Sequence, residues 1–326
     1  MKILNKMRTV MGAGAVSLIA LTSTAQAEDV TIALIPGLTA DAFYITMRKG
    51  AEAAAEAVGA ELIYQGAAEW NVGLQVPVLD AIIARQPDAI LIAPNDKDQL
   101  IEPLRRAHEA GIEVITVDTF IGNGVYQTGS GDADFPMSYV ASDNVLGGQM
   151  AARALAAAID ETGKVYVASL KPGVSTLDQR EEGFRSEIAN YPGIEVLETQ
   201  YNDQDPNKAA AQFQAVLGRT PDLAGVFGAN LFSAVGAANG AEQAGVAGEV
   251  KIAGFDAPES IVGQLKDGTL EMTVAQHPAE IGYFGVMAAY AVVTGNPTPT
   301  AIGTGFTVMT GDNIDDPEVN RYLYSE

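Results

Sequence analysis

Polar and aromatic side chains recur along the chain wherever a β-branched run ends. In order they are Asp41 with Phe43 and Tyr44, Trp70, Asn95, Asp118 with Thr119, Asp178 with Arg180, Gln204, Asn230, Asp256 and Gln276. Carboxylates accept hydroxyl protons, and Asn or Gln both donate and accept. Aromatic faces cover apolar C–H surface. Such a set suits a neutral polyhydroxyl ligand that is held and released unchanged. Each residue also has a plain structural use. Asp41, Asp118, Asn230 and Asp256 stand where a side chain caps a following helix, and Asp178 can cap the helix that carries Arg180. Phe43 and Tyr44 can be core, and Trp70 can be loop packing.

Other chemistries lack their residues. The chain has no cysteine and two histidines, which removes thiol nucleophiles and the usual zinc and iron–sulfur ligand sets. No G-x-x-x-x-G-K-[ST] or G-x-S-x-G segment occurs. Asp203, Asp205 and Asn207 imitate the opening of a calcium loop. Lys208 and Gln214 occupy the places of its turn glycine and bidentate glutamate, so the cage would be incomplete, and Asp205 before Pro206 reads as a helix cap. His108 reads as part of a solvated helix face, and His277 sits at a turn. No cofactor or metal is called for.

The elements that must position these side chains follow from alternation. Strands are expected at 30–35, 61–64, 88–93 and 112–117, with helices at 41–58, 72–85 and 97–110 between them. The pattern restarts with helices at 146–159, 179–190, 206–217, 231–244 and 258–267, and strands at 164–169, 194–199, 224–228, 250–255 and 270–275. The apolar stretch 281–294 reads as a buried helix. Continuous apolar strands alternating with helices mean βαβ units and parallel sheets covered on both faces. The expected fold is α/β, with two doubly wound parallel-sheet lobes. Ligand then belongs in the cleft between them, at the carboxyl ends of the strands.

Length and charge agree. A chain of 326 residues, 48% apolar, can bury a sizeable core and exceeds a comfortable single domain. Nineteen basic residues against 41 acidic ones give a charge of −22, a poor match for phosphate backbones, so nucleic acid is not an expected partner. Lys2, Lys6 and Arg8, a short apolar stretch from Val10 to Leu21 and Ala25-Gln26-Ala27 form a cleavable secretory signal peptide at 1–27. Without it, 16 basic residues face 41 acidic ones and the charge is −25. No other segment is long and apolar enough to span a membrane.

Several segments together resemble the periplasmic sugar-binding proteins of ABC importers, in the ribose-binding-protein-like group with the type I periplasmic-binding fold. They include Phe43-Tyr44 leading to Lys49-Gly50-Ala51, Val114 to Asp118, Ala141-Ser142-Asp143-Asn144 through Gly148, Arg180-Glu181-Glu182-Gly183-Phe184, Gly254-Phe255-Asp256 and Val274-Ala275-Gln276. The resemblance spans the exported chain. It implies stacking aromatics at Phe43 and Tyr44 and a polar contact at Asp41, where ribose binders have an amide. It further implies ligand hydrogen bonds from Asp118, Asn230, Asp256 and Gln276. Ala93 stands in place of a family Asn, with Asn95 nearby. Thr119 and Asp178 stand in place of family arginines, Arg180 is the next matching arginine, and Gln204 lies near a family aromatic. These departures point away from ribose itself.

The resemblance implies a periplasmic, monomeric receptor that delivers a neutral monosaccharide or polyol to an inner-membrane ABC permease. The lobes, joined by a three-strand hinge, would be 28–142 plus 277–304 and 143–276 plus 305–326. A receptor for chemotaxis or sensor signalling, and an exported glycosidase-type enzyme using paired Asp residues, are the alternatives. The acidic cleft should reject sugar acids and phosphates.

Overall fold

The computed structural model describes residues 30–325; the leader expected at 1–27 lies outside them. The first sheet contains β1 (Thr31–Ile35), β2 (Glu61–Tyr64), β3 (Ala89–Ile92), β4 (Glu113–Val117), β5 (Ser138–Ser142) and β12 (Ala301–Thr304). Its order is β12-β5-β4-β3-β1-β2, and every pair is parallel. Helices α1 (Ala42–Val58), α2 (Val72–Ile83), α3 (Ile101–Glu109) and α9 (Pro278–Val293) cover it.

The second sheet contains β6 (Thr162–Ser169), β7 (Gly193–Val196), β8 (Gln200–Tyr201), β9 (Leu223–Gly228), β10 (Lys251–Phe255), β11 (Met272–Gln276) and β13 (Phe306–Met309). Its order is β13-β11-β10-β9-β6-β7, with β8 beside β6 and only β13 antiparallel. Helices α4 (Asn144–Ala158), α5 (Ser175–Ile188), α6 (Pro206–Arg219), α7 (Leu231–Ala244), α8 (Ile261–Lys266) and α10 (Pro317–Asn320) belong with it.

Both sheets are apolar on both faces because helices cover both. Ile32 and Leu34 share a core with Met47 of α1 and Ile281 of α9, while Ala33 and Ile35 share another with Leu79 of α2 and Leu104 of α3. In the second sheet Val165 and Val167 join Leu155 and Phe184, while Tyr166 and Ala168 join Phe213 and Ala237. Alternate residues of one strand thus serve opposite cores. Burying each large aliphatic side chain contributes roughly 1.5–3 kcal/mol.

The same helix contact closes both units. A Cβ on Gly50 of α1 would lie 1.9 Å from the Ala279 carbonyl oxygen of α9. A Cβ on Gly183 of α5 would lie 2.0 Å from the Val145 carbonyl oxygen of α4. Only glycine lets these backbones approach so closely.

The chain passes between sheets three times: from β5 into α4, from β11 into α9, and from β12 to β13. β5 and β12 lie side by side, with Ser142 and Thr304 hydroxyls 3.1 Å apart. β11 and β13 pair through Gln276 and Phe306. Five elements fall outside the sequence expectation: β5, β8, β12, β13 and α10. Two helix starts differ most from expectation. α3 starts at Ile101 after a turn, and α5 starts at Ser175, which places Asp178 inside the helix and not at its cap.

Candidate functional site

The carboxyl ends of the two sheets face each other across a cleft. From the first unit it is lined by Asp41, Phe43, Tyr44, Trp70 and Asp118, and from the second by Arg180, Gln204, Asn230, Asp256 and Gln276. The units touch around it: Phe120 N–H donates to Ser175 Oγ (3.1 Å), and Lys171 Nζ reaches the Trp70 carbonyl (3.4 Å).

Local folding explains the placement. Asp41 is the N-cap of α1, its Oδ1 accepting from Phe43 N–H at 2.8 Å. Asn230 is the N-cap of α7, its Oδ1 accepting from Ser233 N–H at 2.9 Å. The cap geometry aims each at the cleft, so capping and lining are the same placement. Asp118 and Asp256 do not cap the segments that follow them. Each follows a strand in the left-handed region, at φ 61° and 73°. Asp256 Oδ2 instead accepts from Leu231 N–H at 3.2 Å, steadying the start of α7.

Electrostatics vary along the cleft. Burial pushes the Asp118 carboxyl up to about 6, against the opposing effects of the Tyr44 hydroxyl bond at 2.6 Å and the Arg180 charge. Burial pushes Asp41 up to about 7, opposed by its Phe43 N–H bond and reinforced by the Asp256 and Asp118 charges. Near neutral pH Asp41 is therefore divided between acid and carboxylate, and can donate as well as accept. Arg180 is buried. Its Nε donates to Asn144 Oδ1 (2.8 Å), one terminal nitrogen donates to the Ala229 carbonyl (2.9 Å), and the guanidinium lies 3.8 Å from the centre of the Phe255 ring. That same nitrogen is 3.8 Å from Asp256 Oδ2, so it offsets part of the acidic field.

An aromatic wall stands on the first unit. Phe43 and Tyr44 pack edge to face at 5.1 Å, and Tyr44 and Trp70 rings are 6.3 Å apart. Trp70 Nε1–H donates to the Asn95 carbonyl at 3.0 Å, holding the indole at the cleft. Gln276 donates from Nε2 to Asp256 Oδ1 at 2.9 Å, while its Oε1 is buried with no protein partner. Gln204 Nε2 is likewise buried and unpartnered.

Three expected residues do not line the cleft. Thr119 is fully buried and turned away, its hydroxyl donating to the Pro94 carbonyl at 2.8 Å. Asn95 lies behind Trp70, with both side-chain polar atoms buried and unpartnered. Asp178 pairs with Lys97 of the first unit at 3.2 Å, so its charge sits at a contact between the units.

Sequence reasoning looked for polar and aromatic residues after strands and so missed the apolar wall of the second unit, built by Leu170, Val174, Leu177, Leu231 and Phe232, with Thr176 beside it. Phe232 was legible: it follows the capping Asn230 at the spacing by which Phe43 follows Asp41. His108 and His277 both lie outside the cleft lining. Among the described residues no three His, Asp or Glu side chains are grouped to hold a metal ion.

Known proteins share this architecture. The periplasmic binding protein domain family matches residues 32–297. The ribose import binding protein of Salmonella typhimurium is 32% identical over 292 residues, covering 90% of this chain and 94% of its own. An ABC transporter solute-binding protein from Agrobacterium vitis, solved with α-D-tagatopyranose bound, is 65% identical with a TM-score of 0.91, covering 91% of this chain and 100% of the other. A second Agrobacterium vitis solute-binding protein, solved with D-fucose, is 32% identical with a TM-score of 0.84, covering 90% and 100%.

Proposed function

The chain belongs to the periplasmic binding protein family, and from that premise we propose that it captures a neutral monosaccharide in the cleft and delivers it to an ABC importer. Members of this family are transport receptors and not enzymes, so the cleft binds and releases without breaking bonds. One observation carries the reading. Three carboxylates, three amides and four aromatics converge from both lobes on one cleft whose lining has a single cation, Arg180. Carboxylates and amides satisfy ring hydroxyls, and the aromatic wall covers the apolar sugar face. Sugar acids and phosphates would meet like charge in a closed cleft, which is costly.

The relative with bound α-D-tagatopyranose makes D-tagatose the first ligand to test. The lobes are 28–142 plus 277–304 and 143–276 plus 305–326. They rotate about the three crossings, and the sugar stabilises the closed state by binding it better than the open one. Residues 1–27 direct export and are cleaved after Ala27. The closed monomer then docks on an inner-membrane permease.

Calorimetry of the mature chain with D-tagatose, D-ribose, D-allose and D-galacturonate tests the reading. Binding of at least one neutral sugar, with none for the acid, is expected. Binding of the acid alone, or of no sugar in a wider pentose and hexose panel, overturns it.

A further inference from the structure

The last residues of the chain reach the back of the cleft from both sides. Tyr324 is fully buried although it lies near the C-terminus. Its N–H donates to the Ala257 carbonyl at 2.8 Å, tying it to the second lobe. Its hydroxyl accepts from the Gln276 backbone N–H at 2.9 Å and donates to Asp256 Oδ1 at 3.2 Å. The same oxygen receives Gln276 Nε2, so one hydroxyl contacts both members of an Asp256–Gln276 pair. The opposite lobe is engaged as well. The Tyr324 ring packs edge-on against Phe43 at 5.7 Å, and Ser325 N–H donates to Thr46 Oγ1 of α1 at 2.7 Å.

We infer that Tyr324 is a positioning residue for ligand binding: it fixes Asp256 and Gln276 behind the cleft and links them to Phe43 across the hinge. This rests on the receptor function proposed above. The chemistry explains why a tyrosine is used. Asp256 needs a donor on the oxygen that faces away from Leu231 N–H, and the Gln276 N–H at the end of β11 needs an acceptor. A phenol supplies both with one buried atom, and its ring fills the space beside Phe43. Without that hydroxyl the carboxylate loses one of two donors on Oδ1 and gains freedom to rotate out of its ligand-facing position.

The test uses Tyr324→Phe, which keeps the ring, alone and combined with Asp256→Asn. Titration with D-tagatose, or with whichever neutral sugar the panel identifies, should show affinity about fivefold weaker in Tyr324→Phe, the worth of one hydrogen bond. In the Asp256→Asn background the same change should cost less than twofold. Equal losses in both backgrounds would mean that Tyr324 does not act through Asp256 and would overturn the inference. A second readout needs no sugar. Amide hydrogen exchange of Gln276 should accelerate in ligand-free Tyr324→Phe while Met272 to Val274 keep their protection. Unchanged exchange at Gln276 would also overturn the inference, whereas a wild-type protein that binds no sugar but shows the exchange change would overturn only the receptor function.

Discussion

Asp118 and Asp256 are counterparts across the cleft. Each is the residue after a buried strand, each has a left-handed backbone, and each donates its N–H to the neighbouring strand, to Val140 and Val274 respectively, at 2.9 Å. The repeated βα architecture has thus produced the same carboxylate perch twice, once per lobe, and both carboxylates line one cleft. Their supports differ. Asp118 is held by a first-lobe tyrosine, Tyr44, while Asp256 is held by Gln276 and Tyr324.

Replacing either carboxylate should weaken sugar binding by about 1.5–3 kcal/mol, the worth of hydrogen bonds to a charged group. Asn is the cleaner substitution, because it tolerates a left-handed backbone, whereas Ala adds strain at φ 61° or 73°. Asp118→Asn and Asp256→Asn should therefore each bind about ten to a hundred times more weakly by calorimetry with little change in melting temperature. Affinity within twofold of wild type would place the ligand elsewhere.

The raised Asp41 carboxyl makes ligand-free stability depend on pH. Its ordinary value is 3.8 and its value in the folded protein is about 7. Across that window the folded protein holds a proton that the unfolded chain has lost, so this group's contribution to stability falls as pH rises and levels off above about 7. Asp118, raised to about 6, acts in the same direction over a narrower range. The difference in melting temperature between Asp41→Asn and wild type, measured from pH 4.5 to 8, should therefore grow in favour of the mutant as pH rises. A flat difference would show that desolvation does not hold the Asp41 carboxyl up in solution.

The sheets were legible because both faces of each are covered, which makes strands such as Ala89–Ile92 continuous apolar runs. Strands β12 and β13 escaped notice because they are short and half-exposed beside the crossings, with patterns set by pairing and not by burial. Among the residues that line the cleft, those fixed by local geometry were legible. Asp41 and Asn230 cap helices at the cleft, and Asp118 and Asp256 end strands there. Those whose role depends on distant partners were not. Asp178 looked like a ligand carboxylate until Lys97 from the other lobe appeared beside it. Tyr324 gains its meaning from residues 48 and 68 positions away.

Close helix contact in the second lobe should make Gly183 intolerant of even a methyl group. The added Cβ would meet the Val145 backbone oxygen at 2.0 Å, a group that cannot rotate aside, so α4 and α5 must separate. Overpacking of this kind costs about 1–3 kcal/mol. Gly183→Ala should lower the melting temperature clearly in calorimetry, while Gly263→Ala, where nothing lies within 4 Å of the added atom, should not. Similar behaviour of the two variants would contradict the packing between α4 and α5.

Trp70 should report binding directly. It is the chain's only tryptophan and it lines the cleft, so its emission comes from one known place. Its indole N–H is committed to the Asn95 carbonyl, and its ring stands beside Tyr44, which holds Asp118. A sugar entering the cleft displaces water from the indole face and alters the polarity around it. Titration with a bound neutral sugar should therefore shift or quench the emission, with a midpoint that matches calorimetry. Trp70→Phe should abolish the optical signal and, by removing part of the aromatic wall, weaken calorimetric affinity by about 0.5–1.5 kcal/mol. If sugar binds by calorimetry but leaves wild-type emission unchanged, the ligand does not reach the face of the cleft that Trp70 forms.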